Sequence, residues 1–330
     1  MITRRSMLAG LASAIAVAGC TRAQSVEREW LIYTTLLKVR ATAADQATAN
    51  TCCQRVFDTI QTQGPDLYGF GDGELSRANT ALSQGQSVEL SDRLYDLLRR
   101  ADVWRVASGG RFDPAVGGMV AAWGFDDLTR PQTGGVPDQA AIDRMIAATT
   151  TGYTFGGSRD LQSFDPAVRL DIGAIVKGAL LAEAIAAVAD NAVERLVVDL
   201  GGDVAVQSMA ADDAFRVAVA NPSGGPPSAL LTMRSGEYVM TSGGYARYRE
   251  IDGERYQHII DPRSGWPVPP AAATVIGDDP VHADAAATAL VVGGPKEFSA
   301  VCDAMGVDKA LLIDNLGTHL TTASMRERLI

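Results

Sequence analysis

Apolar positions recur along this chain with two periods, one helical and one strand-like. The run 31–41 is strand-like, and 44–62 carries Val56, Phe57 and Ile60 at helical spacing. A glycine-rich loop over 64–73 leads into Glu74-Leu75-Ser76-Arg77-Ala78-Asn79. Ser91 or Asp92 caps a helix with Leu94, Leu97, Leu98, Ala101 and Trp104 on one face, which stops near Gly109-Gly110. A polar surface loop spans 126–138, and a further helix covers 139–149. Beyond 165 the pattern shifts toward strands. A helix over 174–190 precedes a short apolar strand, 195–200, that ends in Gly201-Gly202-Asp203. Strands follow over 215–220, 229–233 and 238–241, and then 245–251 and 254–260 flank the hairpin signal Asp252-Gly253. A strand at 271–276, helices near 281–292 and 295–305, and a strand at 310–313 complete the pattern. Strands clustered between helices predict one α+β domain, with a mixed β-sheet core and flanking helices.

The first residues read as an address rather than as fold. Arg4-Arg5 precede an apolar stretch, 7–18, too short to span a bilayer. Val17-Ala18-Gly19-Cys20 is a lipobox, and Thr3-Arg4-Arg5-Ser6-Met7-Leu8 looks like a twin-arginine signal. The expected organisation is a signal peptide over 1–19, lipidated Cys20 with a polar tether over 20–29, and a catalytic domain over 30–330. That places the domain on the periplasmic side of a bacterial membrane, anchored by lipid to the inner one. The formal net charge of −10 and the lack of a basic block argue against nucleic acid as a partner. An acidic chain that binds a pyrophosphate needs a cation to offset repulsion. Cys52, Cys53 and Cys302 read as buried thiols, with a bridge from either of the first two to Cys302 as the alternative. There is no Cys-x-x-Cys, and the three histidines are scattered, so a zinc site is not expected.

Chemistry concentrates in the second half. Asp171-Ile-Gly-Ala-Ile-Val-Lys177-Gly178 sets an acid, two glycines and a lysine where a helix starts, a layout that can hold an anion. The same residues also suit a plain strand-to-helix connection with a solvated lysine. Asp284 and Thr288 present hard oxygens one helical turn apart, which suits magnesium better than a soft metal. Asp284 could equally just favour the positive end of its helix, with Thr288 in the core. His258 closes the hairpin ahead of Asp261-Pro262-Arg263-Ser264-Gly265, as either a general base or a structural histidine. Phe112-Asp113-Pro114 and Trp123-Gly124-Phe125 supply aromatics for a core or for the wall of a flat ligand.

In this order the motifs resemble the ApbE family, the FAD:protein FMN transferases. The resemblance runs over about 31–322 and implies metal ligands at Asp284, Thr288 and the backbone oxygen of Ala174. It implies Mg2+, with Mn2+ as the alternative, and FAD as substrate. Lys177 and His258 become the catalytic pair. The flavin nucleotide is expected to meet Glu74, Leu75, Ser76, Asn79, Phe112, Asp113, Asp171, Gly202, Asp203, Ser242, His258 and Asp261. The implied reaction moves FMN to a threonine hydroxyl of an acceptor flavoprotein with an Asp/Ser-Gly-Ala/Ser-Thr-like motif, and AMP leaves. An FAD pyrophosphatase on the same scaffold and a non-catalytic FAD-binding lipoprotein are the alternatives. Departures stand at Tyr33-Thr34-Thr35, Gly73, Met119, Glu183, Gly244 and Ser264.

Overall fold

The computed structural model describes residues 23–33, 35–126, 135–210, 212–222, 224–245 and 247–330. Cys20, Arg4-Arg5, the lipobox, Thr34 and most of the 126–138 loop lie outside these residues.

The chain opens with a hairpin, β1 (Gln24–Ile32) and β2 (Thr35–Ala43). The expected single strand over 31–41 is thus the second arm of a pair, turned at Tyr33 with φ 47°. The tether expected over 20–29 is corrected as well, because 24–29 belong to β1. That segment reads as polar since it is an outer strand: Glu29 pairs with Lys38 at 3.1 Å while Val26 turns inward. Trp30 stacks on Phe57 at 4.8 Å. Helices α1 (Gln46–Gln63), α2 (Glu74–Ser83) and α3 (Asp92–Ala107) follow, with a strand β3 (Val88–Glu89) between the last two. Ser91 caps α3 by accepting from the Leu94 amide at 3.2 Å, as its position predicts. Next come α4 (Gly117–Ala122), α5 (Gln139–Thr151), β4 (Tyr153–Phe155), β5 (Asp160–Ser163) and α6 (Gly173–Ala187).

The remainder is mostly strand. It comprises β6 (Val193–Leu200), β7 (Asp203–Ser208), β8 (Ala214–Val219), β9 (Ala229–Arg234) and β10 (Tyr238–Gly243). Then come β11 (Tyr248–Ile251), β12 (Glu254–Gln257), β13 (Ile260–Asp261), β14 (Trp266–Pro267) and β15 (Ala272–Gly277). Helix α7 (Pro280–Met305), β16 (Ala310–Ile313), β17 (His319–Thr321) and α8 (Ala323–Arg326) end the chain. Both turn residues of the β11–β12 hairpin have positive φ, 53° at Asp252 and 84° at Gly253, as an Asp-Gly hairpin turn requires. The two helices expected over 281–305 run on, with a break at Gly294 (φ 60°) before Pro295.

An eight-stranded sheet, in the order β1-β2-β6-β7-β10-β15-β16-β17, organises the molecule. The α+β class stands, but every pairing in this sheet is antiparallel, so the core sheet is not mixed. The main apolar core lies between the sheet and α1, α6 and α7. The β8–β9 hairpin and Met325 of α8 cover part of the opposite face. Cys52, Cys53 and Cys302 are buried free thiols, and neither alternative bridge forms. Helices α6 and α7 cross almost backbone to backbone. A Cβ on Gly178 would stand 2.4 Å from the Pro280 carbonyl oxygen, so only glycine permits this approach.

Candidate active site

That crossing builds the floor of the site. With α7 so close to α6, the Gly178 amide donates to Asp284 Oδ2 at 3.0 Å, and Asp284 is 1% exposed. One residue earlier on α6, the Lys177 ammonium forms an ion pair with Asp203. Asp203 reaches this place because β6 reverses into β7 through Gly201 and Gly202, at φ 65° and 95°. It is fully buried and accepts from the Thr241 amide of β10 at 2.6 Å. Thr288 Oγ1 lies 2.8 Å from Ser242 Oγ. Burial works against the Lys177 charge, yet the carboxylates of Asp203 and Asp284 outweigh it and hold the ammonium above the ordinary lysine value. Both carboxylates are pushed up, Asp203 by burial against the pull of Lys177, and Asp284 by burial together with the charge of Asp203.

The floor opens into a cavity of about 420 Å³. Tyr33, Tyr68 and Phe70 line part of its wall, with the two tyrosine rings 5.3 Å apart and Tyr68 5.1 Å from Phe70. Phe112, Val116, Val120 and Phe125 line another part. Asp113 Oδ1 accepts from the Ala115 amide at 2.8 Å, and burial pushes its pKa up to about 6. Asp171 takes the Gly173 amide at 2.7 Å, and its own amide donates to the Pro114 carbonyl at 2.7 Å. His258 lines the same cavity beside Arg247. The Arg247 carbonyl accepts from His258 Nδ1 at 3.2 Å, which leaves the lone pair on Nε2. Burial first, then the positive charges of Arg247 and Lys177, lower the His258 pKa to about 4, so its ring is neutral at neutral pH.

A family model described as the ApbE family matches residues 33–311. The chain belongs to the ApbE family. It is 34% identical over 327 residues to the FAD:protein FMN transferase of Rhodobacter capsulatus, a match that covers 97% of this chain. This chain spans only 62% of that relative's length. It is 31% identical to the FAD:protein FMN transferase of Treponema pallidum, with 88% of this chain and 85% of the relative covered. Among solved structures, the ApbE protein of Thermotoga maritima superposes with a TM-score of 0.81 at 25% identity, covering 92% of this chain and 99% of the other. The flavin transferase ApbE of Vibrio cholerae shares the fold, with a TM-score of 0.73 at 24% identity over 93% of this chain and all of the other.

Within this ApbE fold, Phe112, Asp113, Asp171, Ala174, Lys177, Ser242, His258, Asp284 and Thr288 share the cavity lining. The other expected contacts do not line it. Asp203 stands behind Lys177, and Gly202 serves the β6–β7 turn, donating to Asp199 Oδ1 at 2.8 Å. Asp261 is taken up by Arg263 at 2.8 Å. On α2, Leu75 is core, Ser76 is half-buried, and Glu74 accepts from the Ser91 amide at 2.6 Å and the Ser91 hydroxyl at 2.7 Å. Asn79 grips both polar groups of the Leu170 backbone, at 2.7 and 2.8 Å, immediately before Asp171. Trp123 is fully buried and donates to the Gly265 carbonyl at 2.8 Å, so it packs in the core rather than along the cavity. His282 stacks on Trp104 at 5.7 Å.

One departure from the family pattern has a steric cause: a Cβ on Gly73 would lie 1.9 Å from the Pro65 carbonyl oxygen. At Gly244 a Cβ would meet the movable end of the Gln257 side chain, 1.2 Å from Oε1. Glu183 takes Arg93 in a two-toothed pair at 2.7 and 2.9 Å, Met119 is core, and Ser264 Oγ accepts from the Trp266 amide at 3.3 Å. Sequence reasoning missed Tyr68, Phe70, Tyr245 and Arg247 as cavity residues. Aromatics set between glycines at Tyr68-Gly69-Phe70-Gly71 were the available signal for the first two. Arg247 carried none, since charged residues in a hairpin usually face solvent.

Asn79 makes the site's support testable. Asn79→Ala strips partners from a buried amide and a buried carbonyl, a loss of about 2–4 kcal/mol in urea unfolding. Asn79→Asp should recover little, because a carboxylate cannot donate to the Leu170 carbonyl.

Proposed function

We propose that this chain is a magnesium-dependent FAD:protein FMN transferase that moves FMN from FAD to a threonine hydroxyl of an acceptor flavoprotein and releases AMP. One observation carries the reading: an aromatic-walled cavity ends at two buried carboxylates that share one ammonium, beside a neutral histidine. With both carboxylates ionised such a floor would carry one negative charge too many for a buried site, and a further cation would let both ionise. The donor set fits a hard ion, with the Asp284 carboxylate, the Thr288 hydroxyl and the Ala174 carbonyl to hold it. Bound there, magnesium or manganese would supply positive charge against the pyrophosphate of FAD.

The chain's own groups account for the rest. Lys177, kept protonated by its two acidic neighbours, offers positive charge at the phosphate end of the cavity. His258 Nε2 takes the proton of the acceptor threonine as its Oγ bonds to the FMN-side phosphorus. The bond from that phosphorus to the bridging oxygen breaks, and AMP leaves with the oxygen. The flavin ring system suits the aromatic walls. The acceptor is expected to carry its threonine in an Asp/Ser-Gly-Ala/Ser-Thr-like segment. The lipobox supports a lipid-anchored position on the periplasmic face of a bacterial inner membrane.

Incubation with FAD, magnesium and a candidate acceptor tests the activity. Flavin fluorescence that stays with the denatured acceptor on a gel supports transfer, while FMN free in solution means hydrolysis and unchanged FAD means binding alone. In that assay His258→Ala should lose about 10²–10⁴-fold in rate with FAD affinity held within a few fold. The base acts only when unprotonated, so lowering the pH through its folded pKa removes it. With that pKa near 4, the wild-type rate should hold from about pH 8 to about pH 6 and fall below about pH 5. A break near the ordinary histidine value of about 6.5 would count against His258. Asp284→Ala should lose most activity along with its divalent-ion dependence. Full activity of that variant at low magnesium would exclude the metal assignment. Cys20→Ser should shift an active protein from the membrane to the soluble fraction, and persisting lipid labelling would rule out the lipobox.

A further inference from the structure

Among the described residues three arginines line the cavity: Arg111, Arg169 and Arg247. Arg111 is bound to Glu297 through two hydrogen bonds, and Arg169 pairs with Asp126 at 3.2 Å. Lys177 is committed to Asp203. Arg247 differs. Among the described residues no carboxylate lies within ion-pair distance of its guanidinium. Its Nη2 donates to the Phe125 carbonyl, its Nε is buried with no acceptor, and the group lies over the Phe125 ring at 5.6 Å. Asp171 and Asp126, also on the cavity lining, act on it only from beyond ion-pair distance, and burial outweighs them. Lost packing does not explain its retention either, because a longer apolar side chain would cover Phe125 equally well.

We propose that Arg247 binds the pyrophosphate of the substrate alongside Lys177 and the divalent cation, as the lining guanidinium that no described carboxylate holds in an ion pair. The inference rests on the transferase reading for the identity of that anion. On the floor, Lys177 divides its charge between Asp203 and Asp284, so little of it is left for an incoming pyrophosphate. Arg247 supplies a positive charge outside any ion pair among the described residues, with a buried Nε–H that has no acceptor. A planar guanidinium with unused N–H donors suits phosphate oxygens better than an ammonium does. Its backbone carbonyl also holds His258 Nδ1, so an anion gripped by the side chain sits next to the proposed base. One residue would then bind the charge and orient the proton acceptor.

The test uses the full chain, with Arg247→Gln and Arg247→Lys, and needs no turnover. FAD, riboflavin and inorganic pyrophosphate are titrated separately in magnesium buffer. A lost charge-assisted bond should weaken FAD and pyrophosphate about 10- to 100-fold in Arg247→Gln. Riboflavin, which has no phosphate, should bind as before, and Arg247→Lys should recover part of the loss. The melting temperature of Arg247→Gln should stay close to that of the wild type, since a glutamine amide can still donate to the Phe125 carbonyl. Unchanged FAD and pyrophosphate affinity overturns the proposal, and so does an equal loss for riboflavin, which would mean a structural role. If wild-type protein binds pyrophosphate through Arg247 but transfers no flavin, the proposed function fails and this assignment stands. If it transfers flavin and Arg247→Gln keeps full FAD affinity, the reverse holds.

Discussion

The contact on which the site depends is the buried group of Lys177, Asp203 and Asp284. Opposite charges about 4 Å apart gain about 4 kcal/mol at an effective dielectric of about 20, while removing each ion from water costs several. The group is therefore affordable only where backbone amides help. Two do, from Gly178 to Asp284 and from Thr241 to Asp203. Both exist because of close backbone approach. Gly178 lets α7 settle against α6, and the two left-handed glycines after β6 deliver Asp203 to the start of β7. Helix crossing, strand reversal and ion cluster form one constraint, and the geometry of the site follows from it.

The walls follow a different logic. Their cavity-lining residues sit on segments held from behind by side chains that never reach the cavity. Asn79 fixes the Leu170 backbone, so Asp171 and the start of α6 are placed by α2. Glu74 ties the start of α2 to the cap of α3. A motif that looks like a ligand contact in sequence can thus act one layer out. This explains why Glu74, Leu75, Ser76 and Asn79 stand with the site motifs in order yet contribute no surface to the cavity.

How much of this was legible follows from range. Helices with local caps, such as α3 behind Ser91, were readable, as were Asp252-Gly253 and the break before Pro295, because their signals lie within a few residues. Strand β7 was not, since four consecutive buried residues, Asp203 to Val206, show no alternation. Strand β1 was hidden by its charged outward face. The cavity residues named in advance lay in segments with family motifs. Arg247 lay between motifs, and what distinguishes it is that no carboxylate of the described residues reaches ion-pair distance, a property of three-dimensional neighbours that no local pattern encodes.

The exchange at Gly244 shows the same limit from the other side. In sequence, the loss of the family's acid at this position looks like a missing function. In three dimensions the space belongs to the Gln257 carboxamide, whose Nε2 donates to the carbonyls of Val268 at 2.6 Å and Pro269 at 2.8 Å. Any side chain at 244 would displace it. The carboxamide ties the end of β12 to the segment that enters β15, one residue ahead of His258. Glycine at 244 and glutamine at 257 are therefore two halves of one packing solution, and that solution supports the strand end that presents His258.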